Sequence, residues 1–479
     1  MHSPISTKVR GISNKPCPAT VLGSRPQVLP SYLAWTVPAL FLILISGSAS
    51  AQTTYTWTGA ANTAWNNAAN WSPATGYPLV ADNAVIVTTA NPPVLDADRT
   101  ITNLTVTSGT VDLGARTLTY TGTGTFTSGA VNNGTLAPNS PAGTTTLSGT
   151  TFAAAINGTA DRMLFNGSIF NAPVTVTKTG STNDYSNGGN TFNNTLTITV
   201  TNGRQYMYNS ANDTYNGNVI LNSTGTSGGV WLGQNTGSAT LAAGRIVSIG
   251  AGGFSIGSLL IRNFTQTGTT AQVLTLTGAS TLYFQTGSTF NGNVTTTSPG
   301  LYMNGSTFQG TAKFTKTGSA SEYSSAGCTF NSTTEFIVTG IGALALSNTG
   351  TDTYNGNLIV NSTSTGGIWF GATSGSSVLA SGRTITVGSS GFSSGDLRLK
   401  GFIQNGATSQ VFVLTGAAQL HFSAGTVFNG ALTTTSPTIL LNGAVFNGTT
   451  SFVKTGSAND VGSGGNVFNA IAEFTNTGT

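Results

Sequence analysis

Charge is what this chain has least of. Only 6% of its 479 residues are Asp, Glu, Lys or Arg, against roughly 25% in an average globular domain. Disorder by charge repulsion is excluded, because that state needs high net charge and few apolar residues, and 38% of this sequence is hydrophobic. The net charge of +4 comes from the first 51 residues, where Lys8, Arg10, Lys15 and Arg25 face no acid. Beyond them 13 bases meet 13 acids. No basic stripe is left to neutralise phosphates, so nucleic acid is not an expected partner. Cysteine is nearly absent as well: Cys17 and Cys328 give no disulfide framework and no CxxC metal or redox site. The two histidines, His2 and His421, belong to no HExxH motif, and neither a phosphate loop nor a paired Cys/His ligand set occurs. No catalytic residue, cofactor or metal is expected. Helical periodicity is missing after residue 51, where Ala, Leu, Glu and Lys are too sparse to support it.

What is present begins with a leader. Residues 33–45 form an apolar run, followed by Ser46-Gly47-Ser48 and Ala49-Ser50-Ala51, the small-x-small pattern a signal peptidase accepts. Residues 1–51 read as a signal peptide cleaved before Gln52. The run is short for a membrane span, so no span is expected once the leader is removed. Its polar n-region is long, which places the expected start of translation downstream of Met1. The chain reads as secreted.

Internal similarity dominates the remainder. Lys178-Thr179-Gly180, Lys316-Thr317-Gly318 and Lys454-Thr455-Gly456 recur at a spacing of 138 residues. The same step joins Trp231 to Trp369, Arg245 to Arg383, and Thr297-Ser298-Pro299 to Thr435-Ser436-Pro437. The expected organisation is an N-terminal module with the first coils over 52–143, unit 1 over 144–281, unit 2 over 282–419, and a third unit over 420–479. Because that third unit stops in mid-repeat, the sequence reads as a fragment whose last coil is exposed, and end-to-end self-association is expected there. Inside each unit an aromatic residue recurs ahead of Asn-Gly or a close variant: Phe152, Phe170, Phe192 and Tyr215; Phe290, Phe308, Phe330 and Tyr354; Phe428, Phe446 and Phe468. The steps are 18, 22 and 23 or 24 residues, then a gap of about 75. One unit is therefore about six coils.

Thr195-Leu196-Thr197-Ile198-Thr199-Val200 and Gln410-Val411-Phe412-Val413-Leu414 carry β-branched residues in period two or short apolar runs, between Gly, Asn, Ser and Thr clusters that favour turns. Coils of this length, each with one inward aromatic, describe an all-β parallel β-solenoid in which stacked neighbours supply the core. Each aromatic is expected to stack on its equivalent one coil above, with Asn beside it at the turn. About 17 coils at ~4.8 Å predict a rod about 80 Å long. The pairs Lys178/Asp184, Lys316/Glu322 and Lys454/Asp460 are expected to bridge a turn on its surface, contributing roughly 0–1 kcal/mol each.

Residues 52 to about 120 differ from the repeats. They carry Tyr55-Thr56-Trp57-Thr58-Gly59, Thr63-Ala64-Trp65-Asn66 and Ala69-Asn70-Trp71-Ser72-Pro73, then Asp82-Asn83-Ala84-Val85-Ile86-Val87. This segment resembles the opening module of large secreted, adhesin-like repeat proteins of the Bacteroidota. The Phe-Asn-Gly coils and Lys-Thr-Gly segments resemble the same proteins, so the resemblance covers nearly all of 52–479. It implies a right-handed parallel β-helix at the cell surface, often exported with a C-terminal type IX sorting domain; such a domain is not found in this sequence.

Three readings of function follow. The first is a structural or adhesive rod, binding an extracellular polysaccharide or a host or neighbouring cell surface by many weak contacts along one face. The second is a carbohydrate-binding module with Trp57, Trp65 and Trp71 as glycan contacts, set against the preferred view that these residues plug the first coil. The third is a β-helix polysaccharide-degrading enzyme, disfavoured because the acids are scattered. Trp231 and Trp369 are expected to point inward or line a groove, and His421 to be an ordinary strand residue. Asp96 and Asp98 form the one close acidic pair, too few oxygens for a hard cation. The Thr-x-Thr pairs, such as Thr105-Val106-Thr107, are too irregular for an ice-matching face.

Overall fold

The structure, a computed structural model, describes residues 52–325 and 327–478; the signal-peptide reading lies outside them. The described chain is a parallel β-solenoid. Its helical content among the described residues is one 3-10 turn, Ala68–Asn70, and none of those residues forms a helix long and apolar enough to cross a membrane.

Each coil contributes strands to up to three ladders. The first is a 23-stranded sheet that starts at Thr54–Trp57 and ends at Ala472–Asn476. In the second, seventeen short strands stack from Thr110–Asp112 to Val467–Phe468. The third consists of two six-stranded sheets, from Asp184–Tyr185 to Gly300–Met303 and from Glu322–Tyr323 to Thr438–Asn442. Period-two sequences form these strands because alternate side chains point to opposite faces. In Val174–Lys178 the valines are buried and the threonines between them are not.

The second ladder carries the core aromatics as expected. Phe152, Phe170, Phe192 and Tyr215 stack with centroids 5.2, 4.7 and 5.3 Å apart and planes within 13°. Phe290, Phe308, Phe330 and Tyr354 repeat the stack at 5.5, 5.2 and 5.0 Å, and Phe446 and Phe468 at 5.1 Å. Burial of each ring contributes roughly 1.5–3 kcal/mol. Beside the rings runs an amide ladder: Asn216 donates to Asn193 at 2.7 Å and Asn193 to Asn171 at 2.7 Å. The gap in the aromatic period is also explained. Leu241 and Gln266 take the next two places in unit 1, Leu379 and Gln404 in unit 2.

The lysine–acid pairs depart from expectation. Lys316 and Glu322 are not on the surface; their side chains are 0% and 5% exposed, with Nζ and Oε2 2.9 Å apart. Lys178 and Asp184 are equally buried at 3.8 Å, and Asp184 also holds Arg162 Nε at 3.0 Å and accepts the Met163 N–H at 2.7 Å. The strand Val174–Lys178 ends on an inward position, so the lysine stem runs into the core and its ammonium donates to the Gly180 carbonyl. Lys454 and Asp460 are half-buried, and Asp460 accepts the Ile439 N–H at 2.8 Å. On this last coil Val461, Ile471 and Phe474 are exposed.

Candidate carbohydrate-binding face

The N-terminal tryptophans are interior residues. Trp57, Trp65 and Trp71 are all buried. Trp71 packs edge-on against Trp57 at 4.9 Å and Trp65 at 4.7 Å. Trp57 Nε1 donates to the Asn91 carbonyl and Trp71 Nε1 to the Trp65 carbonyl, both at 2.7 Å. The buried Asn70 side chain accepts the Ala61 and Asn62 N–H groups at 2.9 Å each. The antiparallel pairing of Trp57 with Trp71 folds the chain across the start of the first ladder, and the three indoles fill the space beneath the next coil. No ring face is turned to solvent, so the glycan-contact reading of these three residues is corrected.

The aromatics that do face outward lie on the third ladder. In Val230-Trp231-Leu232, Leu282-Tyr283-Phe284 and Leu301-Tyr302-Met303 the flanking residues are buried in the core, so the middle residue points away from it. Parallel register aligns these middle positions into a column: Tyr185, Tyr206, Trp231, Leu260, Tyr283 and Tyr302. A second column in unit 2 runs through Tyr323, Ala345, Trp369, Arg398, His421 and Leu440. Trp231 and Trp369 are therefore outward and half-buried rather than inward. Sequence reasoning missed the column, although its signal was present: an aromatic inside an apolar triplet on a strand.

The column is ordered by ring contacts. Tyr185 stacks on Tyr206 at 4.4 Å and Tyr283 on Tyr302 at 4.7 Å; Tyr206 is 2% exposed, and Tyr283 and Tyr302 are half-buried. Trp231 is turned 70° to Tyr206, and Trp369 is turned 63° to Tyr323. Each indole carries a guanidinium on one face: Arg204 lies 4.8 Å from the Trp231 ring and Arg398 4.4 Å from the Trp369 ring. Tyr185 and Tyr323 are 46% and 47% exposed. Burial raises the pKa of Tyr206, opposed by the Arg204 guanidinium beside its hydroxyl, and burial also raises those of Tyr283 and Tyr302.

His421 belongs to this face. Its Nε2 lies 3.1 Å from Gln419 Oε1 and 3.8 Å from Asp396 Oδ1. Burial lowers its pKa, against the pull of Asp396. Asp96 and Asp98 do not converge on a shared site: Asp96 pairs with Arg99 at 2.5 Å, and Asp98 accepts the Thr117 N–H at 2.8 Å. Two further carboxylates, Asp213 and Asp352, are buried beside Tyr215 and Ser347 and cannot touch an external ligand. Among the described residues no three His, Cys, Asp or Glu side chains are grouped as metal ligands.

The face can therefore offer tyrosine and tryptophan ring edges on several coils and one guanidinium beside each of the two indoles. Comparison of the chain with protein-family models, with curated proteins and with solved structures gives no match.

Proposed function

We propose that this protein is a secreted, cell-surface structural and adhesive rod that holds extracellular polysaccharide along the third ladder without cleaving it. The observation that carries this reading is the outward column in which Tyr185, Trp231, Tyr283 and Tyr302 reach the surface, with Tyr323 and Trp369 beyond them. One coil advances ~4.8 Å, close to the length of one sugar residue in an extended glycan. A chain lying along the rod thus meets accessible rings at Tyr185, Trp231, Tyr283, Tyr302, Tyr323 and Trp369, with gaps at the buried Tyr206, Leu260 and Ala345. Each contact is weak, and affinity comes from their number. The fold suits such a surface, because stacking fixes every side chain from the coil below and little ordering remains to be done on binding.

The test incubates the purified chain with a panel of immobilised polysaccharides and scores both retention and release of new reducing ends. Retention without release is expected, and it should fall at least tenfold when Trp231 and Trp369 are both replaced by Ala. Release of reducing ends, or retention indifferent to this double substitution, refutes the reading.

A further inference from the structure

The two Arg-on-Trp stacks differ in one respect that points to a ligand. They are built from non-equivalent positions. Arg204 reaches Trp231 from the preceding coil, opposite Gly229, whereas Arg398 reaches Trp369 from the following coil, directly in register with it. Gly229 has φ +137°, and a Cβ there would lie 2.2 Å from the Ser258 carbonyl oxygen. Glycine is required there by the close approach of the following coil's backbone.

In unit 2 a carboxylate already sits on the guanidinium: Asp396 Oδ2 is 3.1 Å from Arg398 Nη2. The residue 138 positions earlier is Ser258, which has no charge to offer. Arg204 makes no ion pair among the described residues, although its planar fork is pre-organised by stacking and suited to a bidentate carboxylate. Tyr206 precedes Trp231 on the column and Leu260 follows it, with Tyr283 one coil further on.

We propose that the Arg204–Trp231 stack is a subsite for the carboxylate of an acidic polysaccharide, a polyuronate, whereas the guanidinium on the Trp369 indole is already held by Asp396. This inference rests on the reading of the third ladder as a polysaccharide-binding face and names the ligand class for it. Unit 1 is the open subsite and unit 2 is closed by its own side chain. Replacing Asp396 by Asn removes the internal competitor and leaves two subsites whose arginines lie eight coils apart, about 38 Å at ~4.8 Å per coil.

The experiment measures affinity of the full chain for polygalacturonate and for its fully methyl-esterified, uncharged form, by gel electrophoresis in polymer-containing gels and by calorimetry, at low and high salt. The wild-type chain should prefer the acid form and lose affinity as salt rises. Arg204→Gln should weaken binding of the acid form by a factor on the order of 10–100, the range expected for a charge-assisted hydrogen bond, and that of the ester form far less. Arg204→Lys should recover part of the loss, and Asp396→Asn should tighten binding or raise the stoichiometry. Unchanged circular dichroism shows that the variants fold. Equal binding of acid and ester, or an Arg204→Gln chain that binds as well as wild type, overturns the carboxylate subsite while leaving the polysaccharide face in place. Failure to bind either form or any neutral chain overturns both.

Discussion

Raising the pH from 5 to 8 should destabilise this solenoid, because each full unit buries a carboxylate that has no cation beside it. Asp213 Oδ1 accepts the Asn190 backbone N–H at 2.8 Å and its side-chain amide at 2.9 Å, and Oδ2 accepts the Tyr215 hydroxyl at 3.2 Å. Asp352 Oδ1 accepts the Cys328 N–H at 2.8 Å, and Oδ2 accepts the Ser347 hydroxyl at 2.7 Å. Burial outweighs these bonds and pushes Asp213 up to about 7 and Asp352 up to about 6. The unfolded value is roughly 3.9, so the folded state binds each proton more tightly. The stability these two groups contribute is fullest below about pH 4, falls as pH rises towards each folded value, and levels off above it. At roughly 1.4 kcal/mol per unit of pH for each group, the two together cost on the order of 4 kcal/mol between pH 5 and 8. His421 works in the opposite direction: its lowered pKa adds stability as pH rises towards the unfolded value of roughly 6.5, an offset smaller than the two carboxylates because the group is near the surface. The assay is urea unfolding followed by circular dichroism, with hydrogen exchange at the Asp213 and Asp352 coils to localise the effect, since solenoids unfold in parts. The wild-type midpoint should fall between pH 5 and 8, and the Asp213→Asn/Asp352→Asn chain should show little or no fall. An equal or higher midpoint at pH 8, or a fall that persists in the double variant, refutes the reasoning.

Two further predictions concern the interior. Lys316→Ala strands Glu322 without its cation and should cost about 3–5 kcal/mol, whereas Lys316→Met with Glu322→Leu should restore stability to near or above wild type; urea midpoints of the three chains decide it, and a harmless single substitution would show the pair to be solvated. Trp71→Ala removes the indole that touches both Trp57 and Trp65 and should cost about 3–5 kcal/mol, read as loss of hydrogen-exchange protection in the first coils while polysaccharide retention is unchanged. A loss of retention with intact protection would return the N-terminal tryptophans to the binding role.

Much of the fold was legible in the sequence because a solenoid converts sequence period into spatial stacking. Phe152, Phe170 and Phe192 differ by one coil each, so their spacing alone brought them together, and the Asn residues after them formed the amide ladder for the same reason. The irregularity was legible too: Tyr215 and Tyr354 are 139 residues apart instead of 138, and the extra residue is taken up outside the strands. The candidate face was less accessible. Trp231 and Trp369 were singled out, but their flanking glycines suggested a groove, and only the strand alternation through Val230 and Leu232 turns the indoles outward.

The sequence by itself determined the unit length, the six coils of each unit and the inward aromatic stack, since these depend on distances along the chain. Tertiary structure alone decided where charge and aromatic faces end up. Lys178 and Lys316 lie inside because the last strand position points to the core, a fact of register that composition does not carry. Trp57, Trp65 and Trp71 are sealed because an antiparallel fold-back closes the first coil over them. Arg204 meets Trp231, and Arg398 meets Trp369, across neighbouring coils 27 and 29 residues apart in sequence, contacts fixed by how one coil registers on the next.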